Sequence, residues 1–166
     1  LPLTVAATLV ILVLGLAPSE TAREIVRKPW VAGRFVYANQ IIGRDVPALE
    51  VKSELPVLSK NGFLATHPFI PENLRKPESK WERLEAGRLI SIAACSSCHS
   101  LTDTGIRPIA KYFPAEADAA GIKDWLSAGL YRGHIVYMPP LPLPELDRDV
   151  MSEFLAEIIA VQKTDP

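Results

Sequence analysis

The tightest constraint on what this chain can build is the run Cys95, Ser96, Ser97, Cys98, His99. Its two cysteines are the only ones in 166 residues. A disulfide framework is therefore excluded, and a four-cysteine zinc or iron–sulfur site would need ligands from another chain. Histidines are almost as scarce, with His67, His99 and His134 completing the set. Any site built by the chain alone must draw on that short list. The balance of 18 basic and 19 acidic side chains leaves a net charge of -1. No global field favours nucleic acid, and no nucleic-acid partner is expected.

Prolines and apolar residues are spread unevenly and divide the chain into residues 1–18, 19–79 and 80–166. Residues 1–17 carry no charge, and Val10, Ile11, Leu12, Val13 and Leu14 are apolar all round a helix. Roughly 18 such residues span about 27 Å, near a hydrocarbon core of about 30 Å. A transmembrane helix over 1–18 is expected, ahead of a buried core helix or a secretory signal with its exit at Gly15 to Ala17. Arg23, Arg27, Lys28 and Arg34 follow, and by the positive-inside tendency alone they would face the cytoplasm. Trp30 and Tyr37 sit where interfacial aromatics are common. Pro47, Pro56, Pro68, Pro71 and Pro77, with Gly43 and Gly62, interrupt residues 35–80. That stretch reads as an extended strap lying on some other surface.

From Lys80 the pattern turns helical. Trp81, Leu84, Leu89, Ile92 and Ala93 suggest an amphipathic helix running into the cysteines. A second is expected over 123–132, with Ile122, Trp125, Leu126 and Leu130 on one face and Gly133 as its stop. A third starts near Pro144 and runs to about Gln162, its stripe made by Leu146, Val150, Phe154, Ile158 and Val161. The fold class is all-α. A core this small usually needs a staple.

Cys-x-x-Cys-His is the attachment signature of c-type haem. Two thiols at that spacing can add to the two vinyl groups along one porphyrin edge, and the next residue aims an imidazole at the iron. Once His99 binds iron through one ring nitrogen, the other must donate a hydrogen bond that fixes the ring. The alternatives each lack something. A thioredoxin-like redox pair expects a preceding strand and a βαβ setting. A zinc site using Cys95, Cys98, His99 and His134 would have awkward adjacent ligands. No Ser/His/Asp set or glycine-rich phosphate loop is visible, so the chain is not expected to be an enzyme by itself.

Residues 85–162 resemble the class I cytochrome c family. The family's order reads here as Gly87 on the first helix, Cys95 to His99, Pro108, the helix with Trp125 to Leu130, Met138-Pro139-Pro140, and the last helix from Leu146 to Ile159. The resemblance implies three main helices around one covalent haem c, with His99 and Met138 as iron ligands. It also implies that the Pro108 carbonyl accepts the bond from the His99 ring, and that Gly87 lets the first helix touch an aromatic of the last, Phe154. Ile92 departs from the family, which often has an aromatic there. His134 competes with Met138 as a ligand; Met151 reads as a core gap-filler and His67 as a loop histidine.

Residues 23–31 carry a second resemblance, to a loop of the quinol-oxidising subunit of cytochrome bd-type oxidases. Arg27, Pro29 and Trp30 match, while Lys28 and Val26 depart from it. That loop is basic yet faces outward. Together the two resemblances imply a membrane-anchored monohaem cytochrome c, an electron-transfer subunit of a quinol-oxidising respiratory complex. Its expected place is the cytoplasmic (inner) membrane, single-pass, with the haem domain on the periplasmic or outer side. The expected partners are integral membrane oxidoreductase subunits, a redox protein or haem, and the lipid bilayer. A free-standing membrane-tethered shuttle and a gas- or peroxide-binding cytochrome are the alternatives.

Overall fold

Ser79 and Glu82 start the helix that carries the cysteines. The Ser79 hydroxyl accepts the Glu82 N–H at 3.2 Å, and the Glu82 carboxylate accepts the Ser79 N–H at 2.9 Å, a reciprocal cap. These bonds hold the Glu82 carboxyl below its ordinary range. The computed structural model describes residues 2–26 (side chains through 19), 35–37, 39–132 and 138–164. Among them are five α-helices: α1 Leu3–Val26, α2 Leu55–Thr66, α3 Lys80–Cys95, α4 Ala119–Ala128 and α5 Glu145–Thr164. Short 3-10 turns lie at Pro47–Leu49, Glu72–Leu74 and Ile109–Tyr112, and the β pairing is confined to two isolated bridges.

The core is the crossing of α3 and α5. Gly87 makes it possible: a Cβ there would overlap the Val150 carbonyl and come within 2.7 Å of the Phe154 Cβ. Ala86 and Ile90 face Val150, Met151, Leu155 and Ile159 in one fully buried cluster. The Arg83 guanidinium ties the helices at their edge, donating to Glu153 at 2.8 and 2.5 Å. On α4, Ile122 and Leu126 close a third side.

The observed faces differ from those read in the sequence. On α3 the buried positions are Ala86, Gly87, Ile90, Ser91 and Cys95, while Trp81 and Ile92 are exposed. On α5 the buried positions are Asp147, Val150, Met151, Ser152, Leu155 and Ile159; of the expected stripe Val150 is buried, whereas Leu146 and Val161 are exposed. Small residues at the crossing let the backbones approach, and that approach sets which face is inside. The expected helix over 123–132 instead spans Ala119–Ala128, because the Asp118 carboxylate caps it from Gly121 N–H at 2.7 Å.

Two larger expectations are corrected. No helix among the described residues is long and apolar enough to cross a membrane. Within α1, Pro18 lies inside the helix and the first charge is Glu20. The transmembrane helix over 1–18 is withdrawn, and with it the single-pass inner-membrane placement of the chain. Nor are residues 19–79 simply an extended strap: α2 forms within them, and Leu58, Phe63, Leu64, Ile70 and Leu74 are buried in the chain's own core. The surface that this segment covers is α3 and α5.

Candidate cofactor site

The last turn of α3 runs straight into the Cys-x-x-Cys-His run. Cys98 N–H and His99 N–H both donate to the Cys95 carbonyl, at 3.0 and 2.9 Å. One helical turn therefore holds positions i, i+3 and i+4, which share a face. All three side chains line a single cavity of about 310 Å³, within the size range of small-molecule and cofactor sites.

Every element around the crossing contributes to its walls. Leu126 comes from α4, Leu130 and Leu141 from the segments flanking the α4–α5 connection, and Met151 and Leu155 from α5. Phe113 and Trp125 pack edge to face at 5.1 Å and close one end. Met138 and Pro139 line the same cavity, so the Met-Pro loop meets the cysteine turn across it. Met151 also reaches the wall, but from within a fully buried stretch of α5. Asn39 lies at the rim, supplied by the segment preceding α2. His134 and Gly133 lie outside the described residues, as do Arg27, Lys28, Pro29, Trp30, Val31 and Arg34 of the basic stretch. His67 is absent from this cavity; it lines a separate groove beside α2 and α3.

His99 is held at its ring. Its Nδ1 is 3.1 Å from the Arg107 carbonyl, and its ring meets Tyr112 edge-on at 5.3 Å. The acceptor is Arg107 rather than Pro108. Pro108 instead opens the 3-10 turn and its carbonyl accepts the Lys111 N–H at 3.1 Å. The shift by one residue has a local cause. Arg107 sits at φ 48°, in the left-handed region, which turns its carbonyl back toward the histidine. The loop is pinned on both sides by Ser100, which donates to the Ile106 carbonyl at 2.8 Å and accepts the Ile109 N–H at 2.9 Å.

The electrostatics suit a neutral imidazole at His99 and a protonated thiol at Cys95. Burial pushes the His99 pKa down, the Arg107 carbonyl pulls it up, and the Arg107 charge pushes it down again. Burial pushes the Cys95 thiol up to about 12, with the neighbouring Cys98 adding to the rise. Both cysteines are free. Among the described residues no group of three or more His, Cys, Asp or Glu side chains is placed to hold one metal ion. Cys95, Cys98 and His99 thus do not close on a common ion. Their arrangement suits a flat group that takes the thiols and the imidazole at separate atoms. An apolar cavity, two free thiols on its edge and an imidazole with one nitrogen already engaged fit a covalently attached haem.

Among the site residues that escaped the sequence reading are Arg107, Asn39, Tyr112, Phe113, Leu141 and the wall role of Met151. Arg107 carried one signal, its place before a proline at the end of a glycine-containing loop. Comparisons with family models, curated proteins and solved structures found no match to this chain.

Proposed function

We propose that this chain is a monohaem c-type cytochrome that carries single electrons, serving as an electron-transfer subunit of a respiratory oxidoreductase complex. The observation that carries this reading is the convergence of Cys95, Cys98, His99 and Met138 on one apolar cavity, with His99 Nδ1 held by a backbone carbonyl. Cys95 and Cys98 would form the thioether links. His99, neutral and oriented through Nδ1, would hold the iron through Nε2. Met138 offers a thioether from the loop before α5. The haem, when bound, supplies an iron that cycles between two oxidation states, and His/Met ligation raises its potential.

Phe113, Trp125, Leu126, Leu130, Leu141 and Leu155 line the cavity with apolar groups, a surrounding that would tune the potential of a bound haem. The subunit role draws on α1, whose Leu9, Val10, Ile11, Leu12, Val13 and Leu14 are exposed. So much open apolar surface on one helix is the mark of an interaction site.

The test is covalent attachment. Protein produced in a host with c-type maturation should keep its haem through acid–organic extraction, and Cys98→Ala should weaken that linkage. Complete extraction of haem from the unmodified protein, or an absorption spectrum without a haem band, would end this reading.

A further inference from the structure

The segment over α3 is fastened by one buried carboxylate. Asp147, in the first turn of α5, is 2% exposed. It does not cap its own helix. Its Oδ2 instead accepts the N–H groups of Phe63 at 2.5 Å and Leu64 at 3.2 Å, halfway along α2. These donors are free because α2 breaks at Gly62, whose φ of 76° and ψ of -179° end one helical piece and begin another. A Cβ at Gly62 would come within 2.5 Å of the Asp147 carboxylate. Glycine is thus required twice, for its backbone angle and for the room it leaves. Arg75 completes the arrangement by donating to the carbonyls of Leu64 and Ala65 at the other end of this turn, while pairing with Glu72 at 3.0 Å. The second turn of α2 carries an anion at its start and a cation at its end, both favoured by its dipole.

The same segment reaches the cofactor cavity at its other end. Glu54, just before α2, accepts the Ile42 N–H at 2.8 Å through its side chain and donates its own N–H to the Ile42 carbonyl at 2.8 Å. Ile41 is buried beside it, and its N–H donates to the Asn39 side chain at 3.4 Å. Asn39 lines the cavity.

The geometry points to Asp147 as the clasp of a lid: it holds residues 39–66 down on α3 and α5, and releasing it opens the cofactor cavity at Asn39 without unfolding the α3–α5 crossing. The claim about the cavity rests on the function proposed above; the claim about the clasp does not.

Backbone hydrogen exchange on the full chain separates the two. In Asp147→Ala, the Phe63 and Leu64 amides should exchange at least tenfold faster, while Ile90 and Leu155, at the crossing, keep their protection. Asp147→Asn keeps an acceptor oxygen at the same place and should retain the parent's protection at Phe63 and Leu64. Equal acceleration at all four amides in Asp147→Ala would mean that no separate lid exists, and no acceleration at Phe63 and Leu64 would mean that Asp147 is not its clasp. In haem-loaded protein the same variant should bind added imidazole several-fold faster than the parent. An unchanged imidazole rate with accelerated exchange would overturn the link to the cavity. A protein that carries no haem fails the functional reading while the exchange data still decide the clasp.

Discussion

His99 and Met138 come from opposite kinds of structure, and that difference decides how each responds to substitution. His99 is the end of a helical turn, with its ring fixed by the Arg107 carbonyl. Met138 is half-buried on a loop that reaches the cavity between α4 and α5. A loop ligand can be lost without losing the fold. Met138→Ala should therefore lower the midpoint potential by an amount on the order of 100 mV and let carbon monoxide bind, since ligands set haem potentials over about 0.8 V. His134→Ala should do neither, and a spectroelectrochemical titration of both variants checks this. The two thiols should also differ. Cys95 is buried and its pKa is raised to about 12, whereas Cys98 is partly exposed, and the thiolate is the reactive form. In haem-free folded protein a brief maleimide pulse should label Cys98 well before Cys95, as mapped by mass spectrometry. The spacing of Cys95, Cys98 and His99 was legible because it is local to one helical turn. The Arg107 acceptor was not, because a left-handed φ at a non-glycine residue leaves no trace in composition or period.

At the scale of elements, the α3–α5 crossing depends on the absence of a single methyl. Gly87→Ala would drive a Cβ into the Val150 carbonyl, and backbone cannot move aside as a flexible side chain would. Overpacking of this kind costs about 1–3 kcal/mol, so the variant should unfold at clearly lower denaturant with little change in slope. The cost should exceed that of Gly15→Ala, where nothing lies within 4 Å. Which parts of the fold could be read in advance follows from the range of the forces involved. Ser79 with Glu82, and Pro144 before α5, are local signals, and α3 and α5 begin where those signals stand. The buried faces were misjudged because Gly87 and Ala86 carry little hydrophobic signal yet occupy the closest approach. α2 was missed because Pro56 at its start and Gly62 at its centre look like breaks. A proline in the first turn is compatible with a helix, and the break at Gly62 is filled from 84 residues away by Asp147. A partner that distant is invisible to any windowed reading.

For the whole molecule, the buried carboxylate sets a pH dependence whose sign runs against the usual one for aspartate. Burial raises the Asp147 pKa more than its two backbone bonds lower it. No charged side chain contributes to that shift: Glu145 and Asp149 pair with Lys123, Arg148 pairs with Glu145, and Arg75 pairs with Glu72. A carboxyl whose folded pKa lies above its unfolded value binds its proton more tightly in the native state, so its contribution is full below the ordinary value of about 4. That contribution is lost as pH rises through the ordinary value to the raised one. His99 has the opposite sign, because its pKa is lowered by burial; in haem-free protein its contribution is present above about 6.5 and declines as pH falls through that value. The two effects have opposite signs and can be separated by variants. Relative to the parent, Asp147→Asn should gain stability as pH rises from about 4 toward the raised value, because only the parent loses the contribution of a protonated carboxyl. Its amide oxygen still accepts from Phe63 and Leu64 but carries no buried charge to desolvate. Denaturant midpoints for parent and variant, measured side by side across that range, give the difference directly. A variant that is less stable than the parent at pH 7 by more than it is at pH 4 would show that the two N–H bonds to the carboxylate outweigh its burial.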